Sequence, residues 1–400
     1  MQRLLALVMA VTAWPAAAQS PFTYQTPKWL YSIADLNTDS QHDIVLLDRA
    51  TGAIVTGFQI GAAGIGWMPP EASGFAAPSD LCVGRFDNTD CDQFAVTGPA
   101  ENRVSIFSVN NPSLTLGIRH LAPGGPAPSC IATINGDGYG AADLFVAGDS
   151  GGSGGNFYQE VLAGTDVSPY SLWHNSAWNT TYHAWPIIRK PGTAPALAAY
   201  QQPDFTVQGV ANYGFSDFSL VGGVPSTPES LMTYGCFDGG SLAQIILYQP
   251  GATTALATKV TEPAPDAFAW DVPATLTFPR AVQLIVTVPA ASVSRLAVIF
   301  VDGTAAIFDF DGTTLTLRAN LTGSGFDFLA PMGNDSILTG SGTRWDKWNT
   351  SSSNGPLLPV ISGPLPLPSK ASQVSNIVFV RLEPFVNPEA QPVFFGHGCV

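Results

Sequence analysis

The chain has 400 residues, of which 46% are apolar and 12% charged, with 40 glycines and 33 prolines. That mix is too apolar for disorder and too poor in Lys, Glu and Arg for long surface helices, and it suits many short strands joined by tight turns. A formal charge of -14 repels nucleic acid and anionic lipid and is compatible with cations or neutral glycans.

In chain order, the first segment is an address. Arg3 gives a positive start, Leu4 to Trp14 is an apolar core, and Ala16-Ala17-Ala18 offers a small-residue cleavage site. Residues 1–18 are therefore expected to be a signal peptide, and 19–400 a single domain that is secreted or periplasmic. No later stretch reaches the ~20 apolar residues of a membrane helix, so no membrane insertion is expected.

Strand patterns then recur about every fifty residues. The first unit predicts strands at Trp29–Leu36, Asp43–Asp48 and Ala53–Ile60, with a weaker one near Trp67. The second predicts Asp80–Phe86, Gln93–Thr97, Arg103–Val109 and Leu114–Leu121. The third has Ser129–Ile134, Leu144–Ala147, Phe157–Ala163 and Tyr170–Trp173. A looser fourth unit spans 184–221. Leu231, Ala281 and Phe326 open three more, and a half unit holds Asn376–Leu382 and Pro392–Phe395. Four-stranded units of this length cannot bury both faces alone, so they must stack. The expected fold is all-β, a β-propeller of eight blades with seven as the alternative, the eighth sheet being completed by the amino-terminal Phe22–Thr26.

The turn after the first strand is rich in oxygen: Asp35-Leu-Asn-Thr-Asp-Ser-Gln-His-Asp43. A hard cation takes six to eight oxygens at ~2.3–2.6 Å. Asp35, Asn37, Asp39 and Asp43 offer side-chain oxygens at alternating positions, and Gln41 offers a carbonyl. Ser40 stands where a left-handed backbone would favour glycine. As Asx-turn formers, the same residues would need no metal.

This text resembles the FG-GAP or VCBS repeat of integrin-like β-propellers. Ala34 to Leu46 is one copy and Ile134-Asn-Gly-Asp-Gly-Tyr-Gly-Ala-Ala-Asp-Leu-Phe-Val146 a second. The resemblance implies an extracellular or periplasmic binding, adhesion or scaffold module with calcium in its loops, and a minority of related propellers are polysaccharide lyases. The second loop offers Asn135, Asp137 and Asp143. Aligned on Asp143 it has Tyr139 at the third ligand position; aligned on Gly138 it loses its first acid to Thr133. In the second unit Arg85 takes the first position, so that turn is expected to be metal-free.

Five cysteines remain, with no Cys-x-x-Cys pair. Cys82 and Cys91 flank one turn and are the expected disulfide, leaving Cys130, Cys236 and Cys399 unassigned. Gly148-Asp-Ser-Gly-Gly152 spells a serine-protease segment, but no upstream histidine motif accompanies Ser150, and a Gly-rich turn explains it. His42 is expected to face solvent. No carboxylate pair of the kind a glycosidase needs stands out. Trp178 and Tyr182, in an expected loop of an aromatic cluster, are the candidates for ligand contact. The reading is an exported, non-catalytic binding or scaffold propeller for a protein or glycan, stabilised by Ca2+. The alternative is a carbohydrate-active enzyme, which polar or charged residues converging at the ring centre would favour.

Overall fold

The structure is a computed structural model. It describes residues 22–367 except 62–63, 88–89, 111–112, 122–126, 135–140, 150–155, 164–170, 180–182, 188–196, 202–205, 214–215, 220–223, 240–241, 265–266, 291–292 and 353–354; the side chains of 149–182, 187–223 and 262–268 are also left out.

Every described regular element is a strand. Apolar side chains on both sides of the inner strands, as in Trp29–Ala34 and Asp43–Asp48, are buried throughout. A strand covered on both faces reads as a nearly continuous apolar run. Outer strands are more exposed, as Leu315–Asn320 shows.

The strands form seven antiparallel sheets of four to six strands in chain order. Their first main strands are Trp29–Ala34, Asp80–Gly84, Pro128–Ile134, Ala184–Ile187, Leu231–Gly235, Val282–Val288 and Phe328–Pro331. Most of these lie beside the next in sequence, and the last lies beside the first. The fourth and fifth sheets meet through Ser216–Ser219 and Ala267–Trp270. The sheets thus stand around a centre lined by their first strands, which makes the fold a β-propeller. The roughly fifty-residue spacing read from the sequence is the spacing of the sheets.

Side chains are described across most or all strands of five sheets, the first, second, fifth, sixth and seventh, and these are five blades described in full. The third and fourth are traced mainly as backbone. The expectation of eight blades, with seven as the alternative, is therefore corrected to a propeller with five such blades. The amino-terminal strand does not found an eighth sheet. Thr23–Gln25 pairs antiparallel with Trp29–Ala34, placing Tyr24 opposite Tyr31. The physical reason is a tight turn: Trp29 N–H donates to Thr26 Oγ1 at 2.9 Å, and Thr26 N–H to the Trp29 carbonyl at 2.8 Å. That turn sends the chain straight back along its own neighbour. The half unit at 376–395 lies outside the described residues.

The ring closes between the first and seventh sheets. Tyr31 Oη donates to the Leu329 carbonyl at 2.6 Å, and the Tyr31 ring packs 5.6 Å from that of Phe328. One large apolar cluster joins Phe22, Tyr24 and Tyr31 with residues of the fourth to seventh sheets, including Trp185, Val286 and Phe328. Glycines let aromatic rings lie flat on the sheet at several points. A β-carbon at Gly340 would stand 2.1 Å from Phe328 Cε1, and one at Gly57 would stand 2.8 Å from the Trp67 ring. Trp345 and Trp348 are core residues, 5% and 1% exposed.

Candidate functional site

The turn Asp35–Asp43 is built from its own side chains. Asp35 accepts the Asp39 N–H at 3.1 Å and the Ser40 N–H at 3.0 Å. Asp39 accepts the Gln41 N–H at 2.8 Å, and Asn37 Nδ2 donates to it at 3.2 Å. Thr38 and Ser40 both sit in the left-handed region, at φ of 64° and 61°. That conformation is uncommon for non-glycine residues and is an outlier for a β-branched threonine. Carboxylates satisfied by turn amides supply the reason it persists.

Asp43 does a different job. It is fully buried, with one oxygen accepting the Leu36 N–H at 3.0 Å and the other the Gln59 N–H at 3.0 Å. It thus ties the turn to the third strand of its own sheet. Burial raises its pKa from the ordinary carboxylate range to about 7, opposed by those two backbone bonds. Gln93 repeats the device at the same place in the second sheet, accepting the Phe86 N–H at 3.0 Å. Asp143, also fully buried, opens the second strand of the third sheet.

A second repeated bond links four of the turns to the preceding sheet. The residue before the second strand donates its N–H to the carbonyl just after the first strand of the sheet before. Asp92 donates to Asp35 at 2.9 Å, Ala142 to Arg85 at 2.6 Å, Ser294 to Cys236 at 2.7 Å and Asp335 to Pro289 at 2.8 Å. Asp92 adds its side chain, accepting the Asp35 N–H at 2.9 Å and pairing with Arg85 at 3.3 Å. Burial, with Asp92 and Asp39 nearby, holds the Asp35 carboxyl above its usual range. This seam has no local signature in the sequence, because donor and acceptor lie 46 to 58 residues apart.

A calcium ion would need Asp35, Asn37, Asp39, Gln41 and Asp43 to turn their oxygens inward together. Both Asp43 oxygens hold backbone amides, and those of Asp35 and Asp39 face the turn. Among the described residues no three His, Cys, Asp or Glu side chains are grouped to hold a metal ion. Asn135 and Asp137 lie outside the described residues, as do Tyr182 and Ser150, and the side chain of Trp178 is also outside them.

The expected Cys82–Cys91 disulfide is corrected: no two described cysteines are at bonding distance. Cys82 sits in mid-strand opposite Ala95, whereas Cys91 belongs to the turn. Four residues separate Cys91 from Ala95, or about 13 Å of extended chain, well beyond the ~7 Å limit between bridged Cα atoms. Cys82 and Cys130 are buried, which drives both thiols far above their ordinary pKa.

The described histidines have structural partners. His42 is half-buried rather than solvent-facing, beside Gly333 of the seventh sheet. Burial lowers its pKa. His120 Nδ1 bonds Ser105 Oγ at 2.8 Å. His183 stacks on Trp185 and reaches the Pro228 carbonyl at 2.7 Å.

At the ring centre the first described residues take the place a ligand would need. The Phe22 ring lies 5.2 Å from that of Tyr234 in the fifth sheet, and Thr23 Oγ1 donates to the Leu81 carbonyl of the second. Tyr24 stacks on Tyr31 at 5.4 Å and bonds the Thr233 side chain and the Thr287 backbone. Thr233 and Thr287 also bond each other at 3.0 Å. These hydroxyls are held by one another and by backbone groups, and no described charged group acts on Tyr24 or Tyr31.

No protein-family model matches the chain, and no curated protein does. The FG-GAP/VCBS resemblance therefore has no family match behind it. Solved structures do match. One is a functionally unknown protein from Desulfotomaculum acetoxidans DSM 771, at TM-score 0.51 and 11% identity, covering 80% of this chain and 98% of that one. Another is BBS1N in complex with ARL6DN, at TM-score 0.51 and 12% identity, covering 82% and 91%. At such identity the likeness shows the fold alone.

Proposed function

We propose that the chain is an exported, non-catalytic binding or scaffold propeller of the FG-GAP/VCBS kind, presenting its loops to a protein or glycan. The observation that supports this reading is the filled centre. Propeller enzymes and small-ligand binders need a concave site with convergent polar groups. Here the centre holds aromatic side chains, and the hydroxyls of Thr23, Tyr24, Tyr31, Thr233 and Thr287 have protein partners. The BBS1N structure contains a protein partner, which keeps a protein among the proposed partners.

Calcium belongs to the proposal through the oxygen spacing of Asp35, Asn37, Asp39 and Gln41. The ion would add to carboxylates that the turn amides already orient. The alternative reading is a carbohydrate-active enzyme, with its site on a loop face.

The test exposes the mature protein to a panel of neutral and acidic polysaccharides, following retention and product release in the same samples. Retention without release of reducing ends or unsaturated sugars is expected if the partner is a glycan, and no retention if it is a protein. Turnover of any member would refute the non-catalytic reading. Calorimetric titration with calcium, alongside Asp35→Ala/Asp39→Ala, tests the metal. Saturable heat lost in the double variant is expected, and the absence of heat removes calcium from the proposal.

A further inference from the structure

The segment Phe22–Thr26 is core, yet it is attached as an appendage. Phe22, Tyr24 and Thr26 are 2%, 6% and 5% exposed. Its backbone pairs with a single strand over three residue pairs, Thr23 with Ser32, Tyr24 with Tyr31 and Gln25 with Leu30. Ser32 Oγ adds a bond to the Phe22 carbonyl at 2.8 Å. Its side chains, by contrast, reach the second, fifth and sixth sheets, and the seventh through Tyr31. The covalent link to the ring is the turn at Pro27 and Lys28, where Pro27 is exposed.

Two physical consequences follow. With the segment absent, Trp29–Ala34 would present an unpaired inner edge of N–H and C=O groups, the template that strand addition uses. Beside that edge, Tyr31, Tyr234 and the Thr233 and Thr287 hydroxyls would line a pocket shaped for two aromatic side chains two residues apart, the period of a strand. Backbone pairing supplies affinity and the side-chain pockets supply selection.

We propose that the centre of the ring is a strand-accepting site for an extended peptide with aromatic residues at alternate positions, and that Phe22–Thr26 is such a peptide supplied in cis. The ring and its central strand are separable parts, joined by a surface turn.

The experiment keeps the full chain. A site-specific protease sequence is inserted between Pro27 and Lys28, the protein is folded, and the turn is then cut. A fluorescein-labelled peptide spanning 20–27 is added, and its anisotropy is followed while near-ultraviolet circular dichroism reports the fold. The labelled peptide is expected to bind the cut protein saturably and to be competed by unlabelled peptide, with no binding to the uncut protein. Peptides with Phe22→Ala or Tyr24→Ala are expected to bind on the order of a hundredfold more weakly, the usual consequence of deleting a buried aromatic ring. Three results would overturn the proposal: a cut protein that unfolds, a cut segment that is retained and never exchanges even in mild urea, or an emptied ring that stays folded and refuses the peptide.

Discussion

Tyr31→Phe removes one oxygen from the seam where the ring closes. The hydroxyl donates to the Leu329 carbonyl at 2.6 Å and lies 3.4 Å from the Leu329 N–H, and both residues are fully buried. The ring contacts with Tyr24 and Phe328 remain, so the substitution leaves packing in place. What is lost is the short bond to the carbonyl and the longer one accepted from the Leu329 N–H, a cost of about 1–3 kcal/mol. A cooperative unit of some 350 residues unfolds with an entropy of about 0.7 kcal/mol per kelvin. The melting temperature should therefore fall by about 1.5–4 °C. Differential scanning calorimetry of the two proteins, with a second scan to check reversibility, measures it. An unchanged melting temperature would show that this bond does not hold the first and seventh sheets together, and the closure argument would fail with it.

Gly340→Ala places a β-carbon 2.1 Å from Phe328 Cε1, so Phe328 must leave its rotamer; a loss of about 1–3 kcal/mol or more is expected in urea unfolding, and a neutral substitution would contradict the packing described. Asp80 and Asp43 are held protonated to about pH 7 by burial. Each raised pKa means that the folded state binds the proton more tightly than the unfolded one. Their contribution is complete below about pH 4 and is lost as pH rises through 7. The urea midpoint should thus decline between pH 4 and pH 8, less steeply in Asp80→Asn; a midpoint that climbs with pH would rule this out. Mass spectrometry of non-reduced peptides should find Cys82 without a bridge to Cys91, and the Cys82 thiol should resist a thiol reagent until the protein unfolds. A Cys82–Cys91 linked peptide would show the register of that hairpin to be wrong.

The local grammar of this protein is legible in its sequence. Alternation and turn chemistry act between neighbours, so the strands from Trp29 to Asn349 and their fifty-residue rhythm could be read directly. So could the left-handed Ser40. The roles of the acidic residues could not, because an Asp-x-Asn-x-Asp turn is equally good at holding calcium and at holding its own amides. Only the folded chain brings Asp43 to Gln59 and Asp92 to Asp35. Placement of the ends was also a tertiary matter. Phe22–Thr26 has the alternation of any edge strand, and nothing local distinguishes joining a last sheet from filling the centre. That choice was made by the tight turn at Thr26 and by aromatic partners such as Tyr234, more than two hundred residues away, because burial of those rings depends on the whole ring being present.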